Sequence, residues 1–193
     1  MINIDRFQVA CTADLAQIAS MVNLAYRPES GSSAWTHESD LVDGCRTNFD
    51  FLSELISKSD STIIIGIRNN SLVGCIHLEK EGRECHLGLF AVHPNFQGQG
   101  IGKKLLVFAE QFAQKQYHPE NFVMTVLSAR QELIEFYLRR GYRRTGVIGS
   151  YPISAGIGTP KLLDLKTEML EKQSTHSAPN LHINASKDPY EQT

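Results

Sequence analysis

The sequence predicts an α+β fold, with a mixed, mostly antiparallel central sheet flanked by helices. Three observations predict it. STIIIGIR (61–68), LVGCIHLEK (72–80) and ECHLGLFAV (84–92) follow one another with only RNNS and EGRE between them, and such turn chemistry joins neighbouring strands into an antiparallel meander. Helical spacing occurs before and after the meander and does not alternate with every strand, which argues against a repeated βαβ pattern. The chain has 193 residues, 41% hydrophobic and 21% charged, enough for one globular domain with a real core.

Taken in order, INIDRFQVA (2–10) alternates loosely and reads as the first strand. Asp14 is placed to cap a helix in which Leu15, Ile18, Ala19, Val22 and Ala25 recur at helical spacing. Pro28 and Gly31 end it. Residues 37–58 read as helical pieces broken near Gly44, the second with Phe51, Leu52, Leu55 and Ile56 on its apolar face. Past the meander, Leu105, Leu106, Ala109, Phe112 and Ala113 form one helical stripe. NFVMTVL (121–127) reads as a buried strand, RQELIEFYLRRGY (130–142) as a short helix ended by Gly141, and RRTGVIG (143–149) and PKLLDLKTEML (160–170) as closing strands. The order is β-α-α-β-β-β-α-β-α-β-β. The domain is assigned to residues 1–172. Residues 173–193 lose all periodicity and are polar, as in a flexible tail.

Composition narrows the function classes. The net charge is −2, from 19 basic and 21 acidic residues, so no basic excess points to nucleic acid. No apolar run approaches the roughly 18 residues of a membrane span, and the first residues lack an apolar signal core; the expected location is cytoplasmic. Cys11, Cys45, Cys75 and Cys85 form no C-x-x-C pair and are expected to be reduced and structural. The histidines lack metal-ligand spacing, so no metal is expected.

The stretch VHPNFQGQGIGKKLL (92–106) carries the chemistry. It is not a Walker A loop, because Gln97 holds the first glycine position and Lys104 the Ser/Thr position. It is not a Rossmann loop, because Lys103 holds the third glycine position. It fits Q/R-x-x-G-x-G/A, read as Gln97, Gly98, Gln99, Gly100, Ile101 and Gly102 between a strand and a helix. The first N–H groups of a helix have no internal partner and favour an anion. Glycines let a diphosphate approach them, and Lys103 and Lys104 add positive charge.

LGLFAVHPNFQGQGIGKKLL resembles the cofactor-binding motif of the GCN5-related N-acetyltransferases (GNAT), and RQELIEFYLRRGYRRTG is similar to the same family's N-x-x-A-x-x-x-Y-x-x-x-G-F helix. The likeness spans roughly residues 2–170. It implies a GNAT-like sheet, acetyl-coenzyme A as donor and an amine as acceptor. It also implies diphosphate binding on the glycine loop and pantetheine binding along Phe90, Ala91 and Val92. Gln131 stands where many relatives carry a cofactor-contacting asparagine.

The resemblance implies that Tyr137 sits near the cofactor sulfur, where a phenol with a pKa of about 10 can protonate the leaving thiolate. Counting back from Val92 on a period of two puts Glu84, His86, Gly88, Phe90 and Val92 on one face if no bulge intervenes. His86 then holds the position of many relatives' glutamate. The base is His86, Glu84 through water, or solvent. N–H groups near Ala91 and Val92 are the expected oxyanion donors if a bulge frees them. Residues 29–54 hold six acids and one base, Arg46. Trp35, Glu38 and Asp43 are therefore expected to line a site for a cationic small amine. SYPISAGIGTPK (150–161) is expected to close that site, and a homodimer is a further expectation. A non-catalytic acetyl-CoA sensor and a protein or peptide amine acetyltransferase are the alternatives.

Overall fold

The meander is locked by its first turn. In the computed structural model, which describes residues 4–28 and 37–174, Asn69 and Asn70 have φ of 47° and 58°. That pair of left-handed residues suits a two-residue hairpin turn, whose twist matches the strands it joins. The elements are β1 (Arg6–Val9), α1 (Leu15–Tyr26), β2 (Val42–Asp43), α2 (Phe49–Ser57), β3 (Ser61–Arg68), β4 (Ser71–Glu81), β5 (Glu84–Val92), α3 (Ile101–Tyr117), β6 (Asn121–Leu127), α4 (Gln131–Leu138), β7 (Arg143–Ser150), β8 (Thr159–Pro160) and β9 (Lys166–Gln173). Seven strands form one sheet in the order β1-β3-β4-β5-β6-β9-β7, and β2 pairs with β8 apart from it. Within the main sheet only β5 and β6 run parallel, because α3 carries the chain across between them.

Each face of the sheet has its own core. Ile64, Ile76, Leu78, Cys85 and Leu87 pack with Leu105, Leu106 and Ala109 of α3 and Ile134 and Tyr137 of α4. On the other face Ile63, Ile65, Ile67, Cys75, Leu89 and Ala91 pack with Leu15, Ile18 and Val22 of α1 and Leu52 and Leu55 of α2. Burial pushes the Cys75 and Cys85 thiols up to about 12, so both are packing groups. Cys11 and Cys45 are free and exposed. Among the described residues, no helix is long and apolar enough to cross a membrane.

Three local expectations are corrected. Asp14 does not cap α1: it lies in helical conformation, and its carboxylate accepts from the N–H of Cys11 at 2.8 Å, closing a short 3-10 turn ahead of the helix. Residues 37–48 hold no helix; β2 occupies part of them, and Asn48 caps α2 by accepting from the N–H of Phe51 at 2.8 Å. The closing strand begins at Lys166 rather than at 160, because Thr159 and Pro160 pair with Asp43 and Val42 instead. The last strand runs to Gln173, and Ser174 N–H donates to the Glu120 carbonyl at 2.7 Å. The predicted tail beyond it lies outside the described residues.

Gly74 marks where β4, β5 and α3 come closest. A Cβ there would meet the Ala91 carbonyl oxygen at 2.9 Å and Leu105 Cδ2 at 3.2 Å. Gly74→Ala is expected to lower stability by about 2 kcal/mol through overpacking, read as a lower urea midpoint with an unchanged slope.

Candidate active site

The site begins where the sheet comes apart. β5 pairs with β6 only at Glu84, Cys85 and His86, opposite Asn121, Phe122 and Val123. β6 then runs on beside β9 to Leu127, while β5 stays with β4 to Val92. Between the diverging strands lies a gap. The bend in β5 has a local cause: Leu89 has φ of 44°, and the register against β4 shifts between Cys75 and His77, as at a bulge.

This bulge corrects the counting of faces. Glu84, His86 and Gly88 face α1 and α2 with their partners Glu81, Glu79 and His77. One extra residue later the parity has flipped. Ala91 packs on the α1 side, whereas Phe90 and Val92 pack towards α3 and α4. His86 therefore does not share a face with Val92. The His93 N–H donates to the Val73 carbonyl at 3.0 Å. By strand alternation the N–H of Ala91 also points to β4, and those of Phe90 and Val92 point into the gap.

Two cavities meet at the gap and share Phe90 and Leu133 in their walls. One, of about 380 Å³, is bounded by Val92, Phe96, the glycine loop from Gln97 to Lys103, Phe136 and Arg140. The other, of about 170 Å³, is bounded by Tyr26, Glu38, Arg46, Gly88, Leu89, Thr125, Arg130, Tyr137, Tyr151 and Ile157. Tyr137 is 5% exposed and packs at 5.2 Å from Phe136 and 6.2 Å from Phe90, ring centre to ring centre. Burial raises its pKa, and the neighbouring Tyr26 raises it further. Tyr26 donates its hydroxyl to the Phe90 carbonyl at 3.2 Å, which holds α1 against the bulge.

The profile of the acetyltransferase (GNAT) domain matches residues 43–151, more than half of the chain. The chain belongs to the GNAT acetyltransferase family. Its fold is that of a ribosomal-protein-S18-alanine N-acetyltransferase from Escherichia coli, 15% identical, with 92% of this chain and 98% of that one aligned at a TM-score of 0.66. An N-acetyltransferase from Staphylococcus aureus Mu50 is 14% identical over 89% and 98% of the two chains, at a TM-score of 0.67. A Bacillus anthracis structure in complex with acetyl coenzyme A is 20% identical over 63% of this chain and 66% of that one, at 0.51. Comparison with curated proteins finds no match.

Acetyl-CoA is the donor substrate of a GNAT acetyltransferase, and the larger cavity fits it. Gly98 and Gly100 have φ of 72° and 82°, and a Cβ at either would point into open space. Lys104 N–H is the first in α3 to reach a helical acceptor, the Gly100 carbonyl at 3.2 Å. The N–H groups of Ile101, Gly102 and Lys103 thus remain as anion donors. Gly102 serves packing instead: a Cβ there would sit 3.5 to 3.7 Å from Phe90, Val92 and Phe136. Gln97 Nε2 donates to the Val92 carbonyl at 3.0 Å and Gln99 Nε2 to the Asn95 carbonyl at 3.0 Å, so both shape the loop. Arg140 was not singled out from sequence. Its guanidinium lies 3.3 Å over the Phe136 ring, and its buried Nε has no partner, as suits a wall that receives an anion.

The other predicted residues scatter. His86 Nε2 lies 3.2 Å from Glu84 and 3.6 Å from Glu81, at the closed end of the fork and outside both cavity walls. Gln131 is exposed and binds the Ser128 carbonyl and Arg144; it lines neither cavity, and counted back from Tyr137 and Gly141 the asparagine position of the motif falls on Arg130, which lines the smaller one. Asp43 pairs with Lys161 at 3.1 Å on the β2–β8 side. Trp35 lies outside the described residues. Glu38 does reach the smaller cavity, but buried between Arg27, which it pairs with directly, and Arg130 at 3.6 Å. Among the described residues, Glu38 thus stands in that wall with two arginines, Arg46 and Arg130. Asp40 and Glu132, with His37, face a neighbouring hollow of about 250 Å³.

Two variants test this construction. Gly100→Ala forces a side chain into left-handed backbone at a cost of about 1 kcal/mol, and is expected to raise the KM for acetyl-CoA severalfold with little change in acceptor KM. Glu38→Gln leaves buried arginines uncompensated and is expected to lower unfolding stability by about 3 kcal/mol in denaturant titration.

Proposed function

We propose that this GNAT domain moves the acetyl group of acetyl-CoA directly to a primary amine of a small molecule, without an acyl-enzyme. The observation that carries the proposal is Tyr137, buried in the wall of the smaller cavity against Phe90, which both cavities share. When bound, acetyl-CoA supplies the activated acetyl carbon and a thiolate leaving group. The glycine loop and Arg140 hold its phosphates, and the gap-facing N–H groups of Phe90 and Val92 stabilise charge that develops on the acetyl oxygen. Tyr137 donates the proton that the thiolate needs. Its raised pKa keeps the phenol protonated across the neutral range.

The amine must arrive without its proton. Arg46 and Arg130, whose guanidiniums flank Tyr26, disfavour an ammonium in the smaller cavity. Glu84 and His86, on the acceptor face at the foot of the fork, take the proton through water. The cavity of about 170 Å³ suits a small molecule in preference to a folded protein surface. β7 is a sheet edge with exposed Val147 and Ile148, and it is the edge along which a homodimer would form.

Thiol release with acetyl-CoA and a panel of amines tests the reading; binding of acetyl-CoA without turnover of any amine would replace it with a sensor. Tyr137→Phe is expected to lower kcat by about a hundredfold with little change in the KM for acetyl-CoA. In the parent protein kcat should rise with pH as the amine deprotonates and show no fall up to about pH 10, because the acid's pKa lies above its usual 10. His86→Ala is expected to slow the reaction at pH 7 and to converge on the parent rate near pH 9, where the free amine is abundant.

A further inference from the structure

The smaller cavity contains more positive charge than acetyl transfer itself requires. Arg46 and Arg130 place their guanidinium carbons 5.3 and 5.9 Å from the centre of the Tyr26 ring. Among the described residues Glu38 is the one acid in that wall, and Arg27 and Arg130 already share it. No ion pair among the described residues includes Arg46. Among the described residues, Arg27, Arg46 and Arg130 thus outnumber the acid at and behind this wall.

Arg46 is also held in place. Its backbone N–H and that of Thr47 both donate to Asn23 Oδ1, at 2.7 and 3.1 Å, while Asn23 Nδ2 donates to the Thr47 carbonyl at 2.9 Å. An asparagine of α1 thus clamps the loop that carries the arginine. A guanidinium fixed against an aromatic face, partly stripped of water and with no carboxylate partner among the described residues, is matched by a planar oxyanion that accepts two parallel hydrogen bonds. Phe90 and Tyr137 line the same cavity as Arg46, so one ligand filling it meets both the guanidinium and the β5–β6 gap.

We infer that the acceptor is a small amine that also carries a carboxylate, a free amino acid, with Arg46 binding the carboxylate while the amino group faces the β5–β6 gap. This rests on the acetyl-transfer reading and names the class of acceptor within it. It reverses the cationic acceptor expected from the acid count of residues 29–54. Of those six acids, Glu38 is neutralised by arginines, Asp43 is paired with Lys161, and Asp40 faces the neighbouring hollow.

The test measures kcat/KM for thiol release with the standard amino acids, their amides and the matching decarboxylated amines. The preferred acid is expected to exceed its amide and its decarboxylated amine by about a hundredfold, the scale of a charge-assisted pair left unmade. An amide's amine loses its proton more readily than the acid's, so intrinsic reactivity works against this preference. Arg46→Gln should collapse the acid-to-amide ratio mainly through the acid's KM, and Arg46→Lys should restore part of it. The ratio is taken within one preparation, so loss of folded protein cancels. Equal or better use of amides, diamines or peptide N-termini would overturn the inference, as would an unchanged ratio in Arg46→Gln. Turnover confined to amines without a carboxylate sinks this inference alone. Calorimetric binding of acetyl-CoA with no turnover of any acceptor sinks the transfer reading with it.

Discussion

The parting of β5 from β6 after His86 and Val123 is the constraint on which the rest of the site depends. A fully paired sheet would consume every backbone donor along β5 and leave no room between its two cores. Here the pairing stops after three residues, and β6 satisfies its other edge against β9. The unpaired edge of β5 is then available to a ligand that adds to it like a strand. The two helices that enclose the gap come from opposite faces. α4 brings Phe136 and Tyr137 from one side, and α1 brings Tyr26 from the other.

Burial and charge divide the work across that gap. On the α3 side the polar groups are mostly backbone N–H, exposed by glycines whose left-handed φ few other residues tolerate. On the α1 side they are side chains: two tyrosines made hard to ionise by burial, and arginines set around them. Arg27 holds the α1 side together. It pairs with Glu38, donates to the Val42 carbonyl at 3.0 Å and reaches the Ile157 carbonyl at 3.1 Å. It thereby ties α1 to both loops that wall the smaller cavity.

The meander, the crossover helix and the glycine loop were legible because each is a local signal. Turn residues, helical spacing and a strand-to-helix junction are read within a dozen positions. The strand limits of 61–68, 84–92 and 121–127 are those observed. What failed depended on partners distant in the chain. Residues 37–48 count as acidic in isolation, yet Glu38 meets Arg27 and Arg130, and the latter is 92 positions away. Thr159 and Pro160 left the expected closing strand for Val42 and Asp43. Arg46 gave no periodic or motif signal, and Arg130 stands, counted back from Tyr137 and Gly141, at the first position of the N-x-x-A-x-x-x-Y-x-x-x-G-F pattern, but only the fold brings both to one ring. Tyr26 could have been suspected as the aromatic at the end of the first helical stripe, though nothing local pointed it at Phe90.

The bulge at Leu89 gives strand length a meaning of its own. With one residue more than its partner needs, β5 turns positions 84, 86 and 88 to the α1 side and 90 and 92 to the α3–α4 side. Substitutions in the first set can therefore change the α1 side of the strand while the α3–α4 side is left intact. Removing a single residue between Leu87 and Leu89 would exchange the two sets, so grafting this strand between relatives requires alignment from the bulge outward and not from either end.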